Sequence, residues 1–211
     1  MPEWLSTGPE NAAATLILAH GAGGPMDTRF MNDFADLLAE RAVRVLRFEF
    51  AYMAIRRSGG KKRPAPKAET LAPAYMQAVK EARDSVMGRL MIGGKSMGGR
   101  VASLVADDLF DAGIAKGLVC LGYPFHPPNM PVKLRTAHLE TLRCPTLIVQ
   151  GERDPFGSRD EVEALTLPPA IELAWSDDGD HDFGPRGASG FTRKGNIVVA
   201  ADRVAEFLLR A

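Results

Sequence analysis

The sequence predicts an α/β fold, in which a mainly parallel sheet of six strands is covered by helices on both faces. Short apolar runs alternate along the chain with longer segments that are apolar on one side only. The apolar runs are hydrophobic almost throughout, as strands buried on both faces of a parallel sheet are. A length of 211 residues with 45% hydrophobic content suits a single domain spanning residues 1–211.

Six runs rich in Leu, Ile and Val are the predicted strands, at residues 15–20, 43–50, 89–94, 117–123, 146–151 and 171–175. Helices are predicted at residues 27–42, 69–85, 97–108, 158–165 and 196–210. In the first helix, Asp27 is the expected N-cap, and Phe30, Phe34 and Leu38 fall on one face. Residues 56–67, which are basic and rich in Gly and Pro, are predicted to form a surface loop.

Composition excludes several classes of partner. Lys+Arg and Asp+Glu both total 26, so no net charge favours binding to nucleic acid or to an anionic membrane. The N-terminal stretch lacks the features of a signal peptide, and no apolar run approaches the ~20 residues of a membrane helix. We therefore expect a cytoplasmic protein that is a monomer or a small homo-oligomer. Cys120 and Cys144 form no C-x-x-C pair and are expected to be buried, reduced thiols.

The segment GGKSMGGR (93–100) has two incompatible interpretations. A phosphate-binding P-loop requires G-x-x-x-x-G-K-[ST], but its first glycine position is occupied here by Arg89. The residues that follow Arg89 are those of a buried strand and leave no flexible glycine loop. The alternative is G-x-S-x-G, in which Ser96 is a nucleophile on a sharp turn between a strand and a helix. Gly94 and Gly98 provide the required space, and the helix that starts near Met97 directs its N–H groups at the reacting oxygen.

A serine nucleophile needs a base and an acid that orients the base. Asp154 follows the predicted strand 146–151, and His181 follows the strand 171–175, so the order is Ser, Asp, His. As alternatives, Asp154 is a turn former before a proline and His181 a solvated loop residue. Other residues are weaker candidates: the acids Asp177, Asp178 and Asp180, and the bases His126, His20 and His138.

The glycine-rich segment HGAGGPMD (20–27) follows the first strand. It does not fit a dinucleotide fingerprint, because the third glycine position falls on Met26. Glycines also let backbone N–H groups approach a substrate oxygen, so the segment suits an oxyanion hole. The expected donors are the N–H groups of Met97 and Ala22, with Gly23 as the alternative to Ala22. His20 is expected to hold this loop.

Taken together, HGAGG, GKSMGG, GERDPFG and DGDHDF, in this order, resemble the α/β-hydrolase superfamily, and in particular its small, lid-poor, dienelactone-hydrolase-like branch. The resemblance spans residues 15–210. It implies an α/β-hydrolase fold with Ser96 as nucleophile, Asp154 as acid, His181 as base, and Met97 with Ala22 as oxyanion hole. The usual eight-stranded sheet is expected to be shortened to six strands by loss of the antiparallel N-terminal pair. Dienelactone hydrolases usually carry a Cys nucleophile, so their substrate is not implied.

The expected function is that of a serine hydrolase that cleaves a small soluble ester or thioester through an acyl-enzyme. No metal or organic cofactor is implied. The chain between residues 123 and 144 is too short for a substantial helical lid. Candidate substrate-binding residues are Gly23, Phe125, His126, Phe156, Arg56 and Arg57. The basic loop, which also contains Lys61, Lys62 and Arg63, is either an attractor of anionic substrates or a solvated segment. The alternative function is a non-catalytic, hydrolase-like module that binds a ligand or a partner protein.

Overall fold

Seven strands form one sheet in a computed structural model that describes residues 3–61 and 64–210. The strands are β1 (Trp4–Thr7), β2 (Ala14–Ala19), β3 (Val43–Phe48), β4 (Arg89–Lys95), β5 (Leu118–Leu121), β6 (Thr146–Gly151) and β7 (Ile171–Ser176). The helices are α1 (Arg29–Glu40), α2 (Ala51–Arg57), α3 (Ala68–Arg83), α4 (Met97–Leu104), α5 (Ala106–Asp111), α6 (Arg159–Glu163) and α7 (Arg193–Arg210).

The strand order is β1-β3-β2-β4-β5-β6-β7, and every pair is parallel except β1 with β3. The prediction of six strands is therefore wrong by one, because one antiparallel N-terminal strand is present. β1 is a four-residue edge strand that is only partly buried, so it lacks the continuous apolar run that marks the inner strands. Trp4 attaches it to the sheet by packing 5.6 Å, centroid to centroid, from the ring of Phe48.

Two separate hydrophobic clusters lie on the two faces of the sheet. Successive residues of a strand point to opposite faces, and in β2 Leu16 and Leu18 join the cluster under α1 and α7. Ile17 of the same strand joins the cluster under α3, α4 and α5. The predicted arrangement of helices on both faces is confirmed.

The boundaries of several helices differ from the prediction. The N-cap of α1 is Thr28, whose Oγ1 accepts the N–H of Met31 at 3.4 Å. Asp27 is not the cap, because its carboxylate pairs with Arg57. The predicted helix 97–108 is divided into α4 and α5 at Val105, and the last helix begins at Arg193, three residues earlier than predicted.

The predicted basic loop begins inside a helix. Arg56 and Arg57 form the last turn of α2, a seven-residue helix whose one buried residue is Met53. Such a short segment shows no apolar periodicity in the sequence. Lys62 and Arg63 lie outside the described residues.

The parts of the chain that the structure describes contain no helix that is both long and apolar enough to cross a bilayer. Cys120 and Cys144 are buried free thiols, as expected. Burial raises the pKa of Cys144 to about 12, so its thiol stays protonated near neutral pH.

Candidate active site

Ser96 lies on the sharp turn that joins β4 to α4. Its backbone has a φ of 52° and a ψ of −118°, a conformation that is costly for a residue with a side chain. A Cβ on Gly94 would lie 2.2 Å from the carbonyl carbon of Gly98, and a Cβ on Gly98 would lie 2.6 Å from the carbonyl oxygens of Ala19 and His20. The two glycines therefore allow the close packing of strand and helix that presents the serine at the carboxyl edge of the sheet.

Ser96, His181 and Asp154 form one continuous hydrogen-bonded series. The Oγ of Ser96 lies 2.8 Å from Nε2 of His181, and Nδ1 of His181 lies 2.7 Å from Oδ2 of Asp154. The side chain of His181 is 22% exposed, whereas that of Asp154 is fully buried. Loops after β4, β6 and β7 supply the three residues, so the parallel sheet brings together groups that are far apart in sequence.

The carboxylate of Asp154 is held from three directions. Its Oδ1 accepts the N–H of Phe156 at 2.8 Å, and its Oδ2 accepts Nε2 of Gln150 at 3.0 Å as well as the bond from His181. Gln150 also donates to the carbonyl oxygens of Tyr123 and Gly157. Sequence reasoning missed Gln150, although a glutamine among the apolar residues of strand β6 indicates a buried side chain that must be hydrogen-bonded.

The rival acids shape the loop that carries His181. The carboxylate of Asp178 accepts hydrogen bonds from the side chain and the N–H of Arg186, which lower the pKa of Asp178 to about 2. Asp180 accepts two backbone N–H groups of the same loop, and Asp177 is exposed. Asp154 is the acid that bonds to the ring of His181.

The other three histidines do not line the cleft that contains Ser96. His20 lies between the carbonyl oxygen of Gly21, at 2.7 Å, and the N–H of Phe50, at 3.2 Å. Burial lowers the pKa of His20, and it lowers the pKa of His138 to about 4. Nε2 of His126 is hydrogen-bonded to the carboxylate of Glu161, and Nε2 of His138 is hydrogen-bonded to the hydroxyl of Ser103.

The glycine-rich turn passes directly beside the serine. A Cβ on Gly21 would lie 3.7 Å from the Cβ of Ser96, and Ala22 and Gly23 line the same cleft. The hydroxyl of Tyr52 donates to the carbonyl oxygen of Ala22 at 3.3 Å. This bond orients the peptide group between Ala22 and Gly23. Met97 is the first residue of α4, so its N–H has no acceptor within the helix.

Ser96 and His181 open into a cleft of about 1020 Å³. The glycine-rich turn, α1 and the start of α7 form its walls, and Ala22, Gly23 and Phe156 line it as well. The ring of Phe156 packs 4.4 Å, centroid to centroid, from that of His181. Lys95, which the sequence did not single out, also lines the cleft.

Four predicted substrate-binding residues lie outside this cleft. Phe125 is 1% exposed, and Glu161 holds His126. The guanidinium of Arg56 lies 5.2 Å from the ring centroid of Tyr52. Arg57 pairs with Asp27 at 2.9 Å and Glu49 at 2.7 Å, so its charge is matched within the protein.

The chain belongs to the alpha/beta hydrolase domain family, whose model matches residues 12–209. A dienelactone hydrolase from Anabaena variabilis superposes with a TM-score of 0.73 at 18% identity, covering 99% of this chain and 91% of that one. A serine hydrolase without a lid from Xanthomonas campestris gives 0.70 at 17%, covering 99% and 88%. A serine hydrolase homologue from Coxiella burnetii gives 0.69 at 19%, covering 99% and 90%.

The family match confirms the predicted resemblance to the α/β-hydrolase superfamily. The structures, a dienelactone hydrolase among them, show the same fold. Residues 122–145, all of them described, connect β5 to β6 without a helix. The expectation that this connection is without a substantial helical lid is therefore confirmed.

Proposed function

We propose that the protein is a serine hydrolase that cleaves a small ester or thioester through Ser96, His181 and Asp154. The observation that carries the proposal is the hydrogen-bonded series from Ser96 through His181 to Asp154 at the edge of an open cleft. A serine hydroxyl is a poor nucleophile near neutral pH, and a base within hydrogen-bond reach is what activates it.

The tautomer of His181 follows from its partners. A buried carboxylate accepts at Nδ1, so Nδ1 carries the proton and Nε2 is free to take the proton of Ser96. As Oγ bonds to the acyl carbon, the proton moves from Oγ to Nε2, and the carbonyl electron pair moves to oxygen. The N–H groups of Met97 and Ala22, with Gly23 as the alternative, would stabilise that oxyanion.

The second half of the reaction regenerates the serine. The imidazolium of His181 gives its proton to the leaving alkoxide or thiolate, which leaves an acyl group on Ser96. Water then attacks the acyl carbon while His181 accepts its proton, and the tetrahedral intermediate collapses to a carboxylic acid as the bond to Oγ breaks and His181 returns that proton to Oγ. Asp154 holds the ring in place and stabilises the imidazolium in both halves.

The cleft indicates the kind of substrate. Its apolar lining includes Phe30, Leu37, Ile197 and Val198, with charged side chains of α1 and α7 around them. Its volume of about 1020 Å³ lies at the upper end of the range for small-molecule sites. We infer that the substrate carries a compact apolar acyl or aryl group and reaches Ser96 from solvent, since the connection between β5 and β6 contains no helix that could cover the path.

The test is a panel of p-nitrophenyl esters and acyl thioesters with acyl chains of graded length. The wild type, Ser96→Ala and the matched control Ser6→Ala are compared, each shown to be folded by circular dichroism. Ser6 is exposed on the edge strand β1, far along the sheet from the cleft. We expect kcat/KM to fall by at least ~10³ in Ser96→Ala and to stay unchanged in Ser6→Ala. A folded wild type without turnover on any substrate, or an unaffected Ser96→Ala, would overturn the proposal.

A further inference from the structure

Lys95 directly precedes Ser96, and its ammonium group is buried behind the loop that carries His181. The side chain is 8% exposed. Nζ donates to the carbonyl oxygen of His181 at 2.8 Å and pairs with Oδ1 of Asp182 at 3.2 Å. The ring centroid of Phe30 lies 5.4 Å from Nζ on the cleft side.

Burying an ammonium group is costly unless the protein replaces its water. Burial lowers the pKa of Lys95, and the nearby carboxylate of Asp182 opposes that effect. Gly122 adjoins the same site with a φ of +63°, and a Cβ there would lie 3.1 Å from Nζ and 3.0 Å from the carbonyl oxygen of His181. The surroundings thus leave room for the ammonium while supplying a carbonyl, a carboxylate and a ring face.

We propose that Lys95 is a positioning residue that holds His181 at the angle from which its ring reaches Ser96. This proposal rests on the proposed function. The ring of His181 is fixed from one side by Asp154 through Nδ1. Its backbone is fixed from the other side by Lys95. Nζ contacts no reacting atom, so Lys95 acts through His181 alone.

Asp182 extends this support to the wall of the cleft. Oδ2 of Asp182 lies 3.4 Å from the guanidinium of Arg193. Nε of Arg193 also donates to the carbonyl oxygen of Asp182 at 3.1 Å. Arg193 is the first residue of α7. The end of β4, the His181 loop and the start of α7 are therefore connected through two ion pairs. Because a misplacement of about 1 Å can cost ~10²-fold in rate, losing this support reduces turnover even when the fold persists.

The variant that tests the proposal is Lys95→Met, which keeps most of the side-chain volume and removes the charge. Three quantities are measured: the rate constant of fluorophosphonate labelling at Ser96, and kcat and KM for whichever p-nitrophenyl ester the wild type hydrolyses. We expect labelling and kcat to fall by about 10- to 100-fold, with KM changed little, because orientation of the base matters most in the transition state. Lys116→Met, an exposed lysine before β5, is the matched control and retains wild-type rates.

Asp182→Asn provides a second, milder variant, since this side chain is half exposed. If the two residues act as one pair, the double variant is no slower than Lys95→Met alone. Should Lys95→Met fail to fold, a reduced kcat in folded Asp182→Asn supports the proposal and a wild-type kcat overturns it. A lower melting temperature with wild-type labelling and kcat in Lys95→Met would show a purely structural role and overturn it too. Absence of labelling in the wild type would instead refute the proposed function.

Discussion

Replacing Asp154 by asparagine removes one negative charge and almost no volume. Three N–H donors face the carboxylate: Phe156 at Oδ1, and both Gln150 and His181 at Oδ2. An asparagine that places its amide oxygen at the Oδ2 position keeps two of these bonds and turns its NH₂ toward Phe156. The opposite orientation would lose two bonds, so we expect the first, in which His181 keeps its tautomer and ring position.

The effect of Asp154→Asn on rate is then mainly electrostatic. With Nδ1 and Oδ2 2.7 Å apart, the charge centres of an imidazolium and the carboxylate are separated by roughly 4 Å, and their attraction is about 4 kcal/mol at an effective dielectric constant of about 20. At about 1.4 kcal/mol for each factor of ten, kcat falls by about 10³. KM changes little, because the imidazolium exists only after proton transfer. The lost bond to Phe156 lowers the free energy of unfolding by about 1–3 kcal/mol.

The assay is steady-state hydrolysis of the ester that the wild type prefers, together with urea unfolding of each variant. Asp177→Asn is the matched control, because Asp177 is exposed on the same loop as His181 and should leave kcat unchanged. If Asp154→Asn retains kcat within about tenfold of the wild type, Asp154 does not stabilise the imidazolium and the assignment of the acid is refuted.

Three further predictions concern stability. Gly98→Ala places a Cβ 2.6 Å from two backbone oxygens and should cost about 2 kcal/mol or more in urea unfolding, whereas Gly23→Ala, with no atom within 4 Å, should cost nothing comparable. Tyr75→Phe removes a buried hydroxyl that accepts one backbone N–H and faces two carbonyl oxygens, and an unchanged urea midpoint would contradict the expected loss of about 1–3 kcal/mol. A hydrogen bond from Arg57 is the main cause that lowers the pKa of Asp27. The stability that this bond contributes is present above the ordinary carboxylate pKa and is lost as the pH falls through the lowered pKa. Between about pH 5 and pH 3, the melting temperature of Arg57→Met should therefore fall less than that of the wild type. Parallel curves of melting temperature against pH would contradict this.

Much of the fold follows from local pattern. The inner strands, β2 to β6, are largely apolar because both of their faces are buried. These five and the edge strand β7 were predicted within a few residues. Ser96, Asp154 and His181 follow β4, β6 and β7, and these parallel strands end at one edge of the sheet. Strand ends and chain order therefore predict that the three residues meet, and the structure places them within hydrogen-bond distance.

The remaining features depend on contacts between distant segments. β1 has too few apolar residues to be recognised before its partner β3 is known. Arg57 resembles a free surface charge in the sequence, yet Asp27, thirty residues away, neutralises it. Lys95 binds the backbone of His181, and Gln150 binds the carboxylate of Asp154. Because these contacts depend on loops that converge only in the folded chain, a motif search of the nearby sequence does not reveal them.

Whether Ser96 is an activated nucleophile is tested most directly by fluorophosphonate labelling of the wild type, Ser96→Ala and His181→Ala, with the modified residue mapped by mass spectrometry. All three proteins must first be shown to be folded. We expect one adduct on Ser96 in the wild type, none in Ser96→Ala, and a labelling rate reduced by at least ~10³ in His181→Ala. A folded wild type that is not labelled, or that is labelled at another serine, would contradict the claim that Ser96 is an activated nucleophile.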